Sequence, residues 1–178
     1  GIYFAGSIGA GQMSEVDIAA SSGGEEFKFE TGFSGEVGVG YDFGSFRTEF
    51  SYSTTNFDID TVQGTEVEVG VDVTSFFLSA AYDFRSDKKW QPYISGSYGN
   101  SSVDLDDTTR VGTFVVPLGD KENISTFKVK LGVNYQASDD LDVFGEIWGQ
   151  GLDDFTIGGV EFGDVGMGGA SLGLRVKL

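Results

Sequence analysis

The sequence predicts an all-β fold: an eight-stranded antiparallel up-and-down transmembrane β-barrel, with residues 1–178 as a single domain. Three observations predict it. Eight segments alternate apolar and polar residues with the period of two that belongs to a strand. The connections between them are long and short in turn, which gathers the long loops at one end and both termini at the other. Every charged residue inside those segments falls on the polar side of the alternation.

Composition sets the bounds. The chain holds 28 glycines and 16 phenylalanines, but 2 prolines and neither cysteine nor histidine. That mixture reads as many short strands and turns rather than as disorder. A mean hydropathy of -0.08 resembles that of a soluble protein. It is equally the value of a barrel in which half of each strand faces a polar interior. No apolar run approaches the ~18 residues of a membrane helix. The net charge of -17 argues against a nucleic-acid partner, which requires a basic patch. The chain is already strand-like by Ile2, as expected of a processed mature chain.

The first strand, 2–12, sets Ile2, Phe4, Gly6, Ile8 and Ala10 on one face. The second, 32–43, opposes Phe33, Val37, Val39, Tyr41 and Phe43 to Ser34, Glu36 and Asp42. Gly44-Ser45 alone separates it from the third, 46–57, so the pair reads as a tight hairpin. In the third, Phe46, Thr48, Phe50 and Tyr52 oppose Arg47 and Glu49. The fourth, 66–84, ends with Phe76, Leu78, Ala80, Tyr82 and Phe84 on one face, yet begins with Val67, Val69, Val71 and Val73 in the opposite phase. The change near Thr74-Ser75 predicts a bulge, or a hairpin that runs on past the membrane. The fifth, 90–103, carries Trp90, Pro92, Ile94 and Tyr98; the sixth, 125–137, opposes Phe127, Val129, Leu131, Val133 and Tyr135 to Lys128 and Lys130. The seventh, 141–151, carries Leu141, Val143 and Ile147. The eighth closes the chain, with Leu172, Leu174, Val176 and Leu178 against Ser171, Arg175 and Lys177.

Charge follows the same plan. Segments 14–31, 58–72, 99–126 and 151–168, the long connections and the strand ends that border them, hold 19 of the 28 acids and only three bases, Lys28, Arg110 and Lys121. In the strands, Glu36, Arg47, Glu49, Lys128, Lys130 and Glu146 share the inner face and form a lumenal ion-pair network. Asp42, Asp83, Asp142, Arg175 and Lys177 lie nearer the short turns, with the two bases as counter-charges to the three acids. A soluble barrel or sandwich with the apolar face inward is the competing reading. It has to fit Phe33, Tyr41, Phe50, Tyr52, Phe76, Tyr82, Tyr98, Phe127 and Tyr135, among others, into one small interior. Their clustering at strand ends matches two interfacial aromatic girdles instead.

Three stretches resemble a known family. Ile2-Tyr-Phe-Ala-Gly-Ser-Ile-Gly9 looks like its first strand, Gly38 to Tyr52 like its second hairpin with an Arg-x-Glu in the lumen, and Lys130 to Phe144 like its sixth-to-seventh-strand hairpin. The chain thus resembles the small eight-stranded outer-membrane barrels, including the outer membrane protein A transmembrane domain and the opacity-type porin superfamily. The resemblance implies a Gram-negative outer membrane, with loops outside and both termini periplasmic. It also implies lipid and lipopolysaccharide neighbours, and assembly machinery that reads the last strand. Family members usually end in Phe; this chain ends in Leu178.

The barrel enzymes of outer membranes rely on histidine, and this chain has none. The missing His and Cys also remove the familiar nucleophile systems and zinc sites. The acid pairs Asp106-Asp107 and Asp153-Asp154 read as solvated loop charge, and no cofactor is expected. The leading functional reading is a non-enzymatic barrel with a charge-filled lumen and acidic loops that meet an envelope or host partner. A narrow or gated channel for ions or small solutes is the alternative. A third reading is a binding barrel for a small apolar molecule, built from Val67, Val69, Val71 and Val73 with Phe155, Ile157, Val160 and Phe162.

Overall fold

The computed structural model describes residues 1–13, 16–18, 25–29, 31–62, 65–85, 88–105, 109–111, 114–116, 122–152, 155–157, 160–162 and 165–178. Eight long strands make the wall: β1 (Ile2–Met13), β2 (Gly32–Asp42), β3 (Phe46–Val62), β4 (Thr65–Asp83), β5 (Trp90–Leu105), β6 (Glu122–Gln136), β7 (Leu141–Leu152) and β8 (Val165–Lys177). Each pairs antiparallel with its neighbour in sequence. β1 also pairs with β8, from Tyr3↔Lys177 to Met13↔Met167, so the sheet closes on itself.

The tight hairpin between β2 and β3 shows how the sequence sets a turn. Gly44 sits at φ 115°, which a side chain would resist, and its N–H donates to Asp42 Oδ1 at 2.7 Å. Strand ends depart from the sequence reading mostly at the loop end, where β3, β5 and β6 run further. β8 begins at Val165 rather than near Ser171, because Gly166-Met-Gly-Gly-Ala170 lacks the apolar alternation that marks a strand. Six short strands within the long connections were also invisible to periodicity. Four of them, Glu25–Phe29, Val16–Ile18, Val160–Phe162 and Phe155–Ile157, extend the sheet sideways from the loop end of β3.

The phase change in β4 is not a bulge. Pairing to β3 and β5 runs unbroken through Thr74 and Ser75; the register shift lies between Ile59 and Thr61 instead. From Val73 to Asp83 the odd-numbered residues of β4 face the lumen, so Asp83, Ala81, Ser79, Phe77, Ser75 and Val73 are all buried. What changes is the chemistry of the two faces. Outward residues switch from Phe76, Leu78 and Tyr82 to Thr74 and Asp72, while Val73 points in. Neighbouring strands switch at the same level: Thr54 and Asn56 on β3 and Asn100 on β5 lie on the outer face, whereas Ile124 of β6 is buried. The wall therefore leaves hydrocarbon just beyond the ring of Tyr52, Phe76, Tyr98 and Phe127. The side chains of Val67, Val69 and Val71 lie outside the described residues.

Below that ring the protein is inside out. Among the described residues 28 large apolar side chains are exposed, Leu78 at 68%, while only ten hydrophobic side chains are buried against twenty polar or charged ones. Water would penalise that belt and hydrocarbon accepts it. A second aromatic ring, with Tyr41 on Phe43, Tyr82 on Phe84 and Trp90 on Tyr135 at centroid distances of 4.7, 5.1 and 4.8 Å, marks the turn end.

The lumen is filled by cross-strand pairs of an aromatic with a glycine. Tyr3 lies opposite Gly40, Phe77 opposite Gly99, Tyr93 opposite Gly132, Phe144 opposite Gly173 and Trp148 opposite Gly169. The rings of Tyr3, Tyr93, Phe144 and Trp148 lie where a Cβ on the partner glycine would sit. Overpacking costs about 1–3 kcal/mol. Gly132→Val and Gly173→Val are therefore expected to lower the unfolding free energy of the refolded barrel in urea by that amount, whereas Gly96→Ala, whose added methyl meets open space, leaves it unchanged. The boundary makes a second prediction: Leu131→Arg loses about 2–4 kcal/mol in the same assay and Thr74→Arg about 0–1.

Candidate functional site in the lumen

Strand parity brings every lumenal charge named from the sequence to the inner face, and the stagger of the strands decides which of them meet. At the turn end Arg47 donates from Nε to Asp83 Oδ2 at 2.6 Å and from Nη2 to Oδ1 at 2.8 Å. Both residues are 3% exposed. Lys177 Nζ donates to Asp142 Oδ1 at 2.9 Å, and Arg175 Nη1 stands 3.8 Å from Asp142 Oδ2 while donating to Asn134 Oδ1 at 2.9 Å. Asp42 meets neither Arg175 nor Lys177. It pairs with Arg85 of the turn between β4 and β5 at 3.2 Å, a partner the strand pattern did not supply.

Toward the middle, one carboxylate serves two lysines. Lys128 Nζ donates to Glu36 Oε2 at 3.1 Å, and Lys130 Nζ donates to Glu36 Oε1. Lys130 also lies 3.3 Å from Glu146 Oε1, and the Tyr93 hydroxyl donates to Glu146 Oε2 at 2.6 Å. Glu49 forms no ion pair with a lysine or Arg47 among the described residues; it lines the central cavity beside Tyr3, whose hydroxyl donates to the Thr48 carbonyl at 3.5 Å. Between these groups remains a cavity of about 30 Å³, lined by Glu36, Glu49, Lys130, Glu146, Arg47 and Arg175 with their neighbours. That is room for about two water molecules.

The aromatics are the second half of this network. Arg47 stacks on Tyr93 at 5.0 Å, Arg175 on Tyr3 and on Phe144 at 5.1 Å each, and Lys128 on Trp148 at 4.6 Å. Each cation is thus held by a carboxylate or amide on one side and a ring face on the other. The rings were legible in principle. Tyr3, Phe77, Tyr93, Phe144 and Trp148 all sit at polar-face parity, each an exception to the apolar-out rule.

Loopward of Glu36, Lys130 and Glu146 lies a set of neutral hydrogen bonds around Gln150, the cross-strand neighbour of Lys128. Gln150 Nε2 donates to Ser75 Oγ, Ser101 Oγ and Thr126 Oγ1 at 3.2, 3.3 and 3.1 Å, while Ser79, opposite Glu49, donates to Ser97 at 2.7 Å. Val73, Ile124, Leu152 and Met167 bury an apolar cap beyond it. No group of metal ligands is assembled among the described residues. Asp106-Asp107 and Asp153-Asp154, and the side chains of Phe155, Ile157, Val160 and Phe162, lie outside the described residues.

No protein-family model matches the chain. Opacity protein opA68 of Neisseria gonorrhoeae is 29% identical over 114 residues, a match that takes in 51% of this chain. The chain spans about half of that relative's length, 48%. Neisserial surface protein A superposes over 99% of this chain and 97% of its own with a TM-score of 0.70 at 20% identity. The chain has the fold of the small eight-stranded outer-membrane β-barrels. This barrel also shares its fold with the outer membrane protease OmpT of Escherichia coli, at a TM-score of 0.60 and 8% identity over 99% of this chain and 96% of that one.

Removing one member of a buried pair strands the other, at about 3–5 kcal/mol. Arg47→Ala is expected to lose that much in urea unfolding, and Arg47→Met with Asp83→Leu much less. Lys177→Ala, whose side chain is 30% exposed, loses under about 1 kcal/mol.

Proposed function

We propose that this barrel is a non-enzymatic outer-membrane protein whose lumen is closed by its own side chains, and whose working surface is its acidic loops. The observation that carries the closed lumen is Lys130, held between Glu36 and Glu146 beside a cavity of only about 30 Å³. Eight strands enclose an interior that side chains can fill, and here rings as well as ions fill it. The lack of histidine and cysteine supports the non-enzymatic reading.

Loops outside and termini in the periplasm follow from the alternation of long and short connections. The long connections and the strand ends beside them carry 19 of 28 acids and three bases. Such a surface repels polyanions and suits a basic envelope or host partner. A narrow channel is the second reading, because Glu36 is shared by two lysines and an exchange of partners would open a path.

Planar-bilayer recording separates the two. The refolded barrel is expected to show no steady conductance above background. Steady conductance that changes with Glu49→Ala or Lys130→Ala contradicts the closed lumen and establishes the channel.

A further inference from the structure

The lumen holds a buried side chain that the ionic network does not use. Gln150 is 3% exposed and projects from β7 to hydroxyls on β4, β5 and β6. Ser75 lies two strands beyond the β6 neighbour of β7, so this one amide reaches across the lumenal face of three consecutive strands. It stands four residues past Glu146, about 13 Å along the same strand, with Lys128 as its cross-strand neighbour on β6 and that lysine's ammonium turned to Glu36. Among the described residues the hydroxyls that receive it carry no charge, and Ser75 and Ser101 are hydrogen-bonded to each other at 2.5 Å.

We propose that Gln150 forms a second, neutral constriction, in series with the ionic layer and closing the lumen independently of it. The inference rests on the closed-lumen reading of the charged network. Two acceptors of the amide belong to strands that make no ion pair with Glu36, Lys130 or Glu146, so rearranging those charges leaves the amide where it is. A path through this layer is lined by hydroxyl and amide groups. It admits water or a similarly small neutral hydrogen-bonding solute and resists ions, which find no counter-charge there. The apolar cap of Val73, Ile124, Leu152 and Met167 lies beyond it and reinforces that resistance.

The test uses three variants of the full chain refolded in detergent: Glu36→Gln with Lys130→Met, Gln150→Ala, and all three changes together. Gel mobility before and after boiling establishes that each has folded, with Gln150→Ser replacing Gln150→Ala if the alanine variant fails to fold. In planar bilayers the ionic variant alone and the Gln150 variant alone are expected to stay at background. The combined variant is expected to conduct roughly tenfold or more above it. Full conductance from the ionic variant alone overturns the second constriction and leaves the charge closure standing. Full conductance from the Gln150 variant alone overturns the charge closure itself. A combined variant that stays silent overturns the serial arrangement.

Discussion

Hydrocarbon offers no partner to a backbone N–H or C=O, and a sheet inside it can leave no edge open. The seam between β1 and β8 meets that demand, with eleven paired positions from Tyr3↔Lys177 to Met13↔Met167. Everything else follows from the closure. Once the strands form a ring, a period of two divides every residue between lipid and lumen. Eight strands then leave a bore that must be filled by what the inner parity supplies.

That bore is filled by an exchange between neighbouring strands. Where one strand carries a ring, the next carries a glycine, so the ring lies flat across bare backbone and leaves its face to a cation. Arg47, Arg175 and Lys128 are held this way. Such stacking matters energetically, because a buried charge compensated on one side alone is expensive. The chemistry then grades along the axis, from ion pairs near the turns through the Gln150 layer to an apolar cap near the loops. The cap belongs to the part of the wall that has left the membrane, where water is outside and an ordinary apolar core is inside.

Much of this was legible as parity. The eight strands, the closed barrel and the outward aromatic belt follow from alternation, because lipid penalises a misplaced charge. Parity gives the face of a residue but not its height. The partner of Arg47 is Asp83 rather than a glutamate because the stagger of β3 against β4 sets Arg47 opposite Ala81, one diagonal step from Asp83, and that stagger is not written in either strand alone. The apparent phase change in β4 has a different cause. Val73 keeps the lumenal phase of Ser75 and Phe77 while its surroundings change, so of the two readings the period allowed, a bulge or a hairpin running past the membrane, the bulge is the one the pairing excludes. The short loop strands, mostly three residues long, span too few residues for any period to register.

The two tryptophans test the inside-out arrangement directly. Trp90 is 60% exposed on the outer face and Trp148 is 6% exposed in the lumen. With the barrel refolded into bilayers of lipid brominated along its acyl chains, fluorescence of the Trp148→Phe variant, which retains Trp90, is expected to be strongly quenched. That of Trp90→Phe, which retains Trp148, is expected to match its value in unbrominated lipid. Equal quenching of both, or quenching of Trp148 alone, would contradict the account.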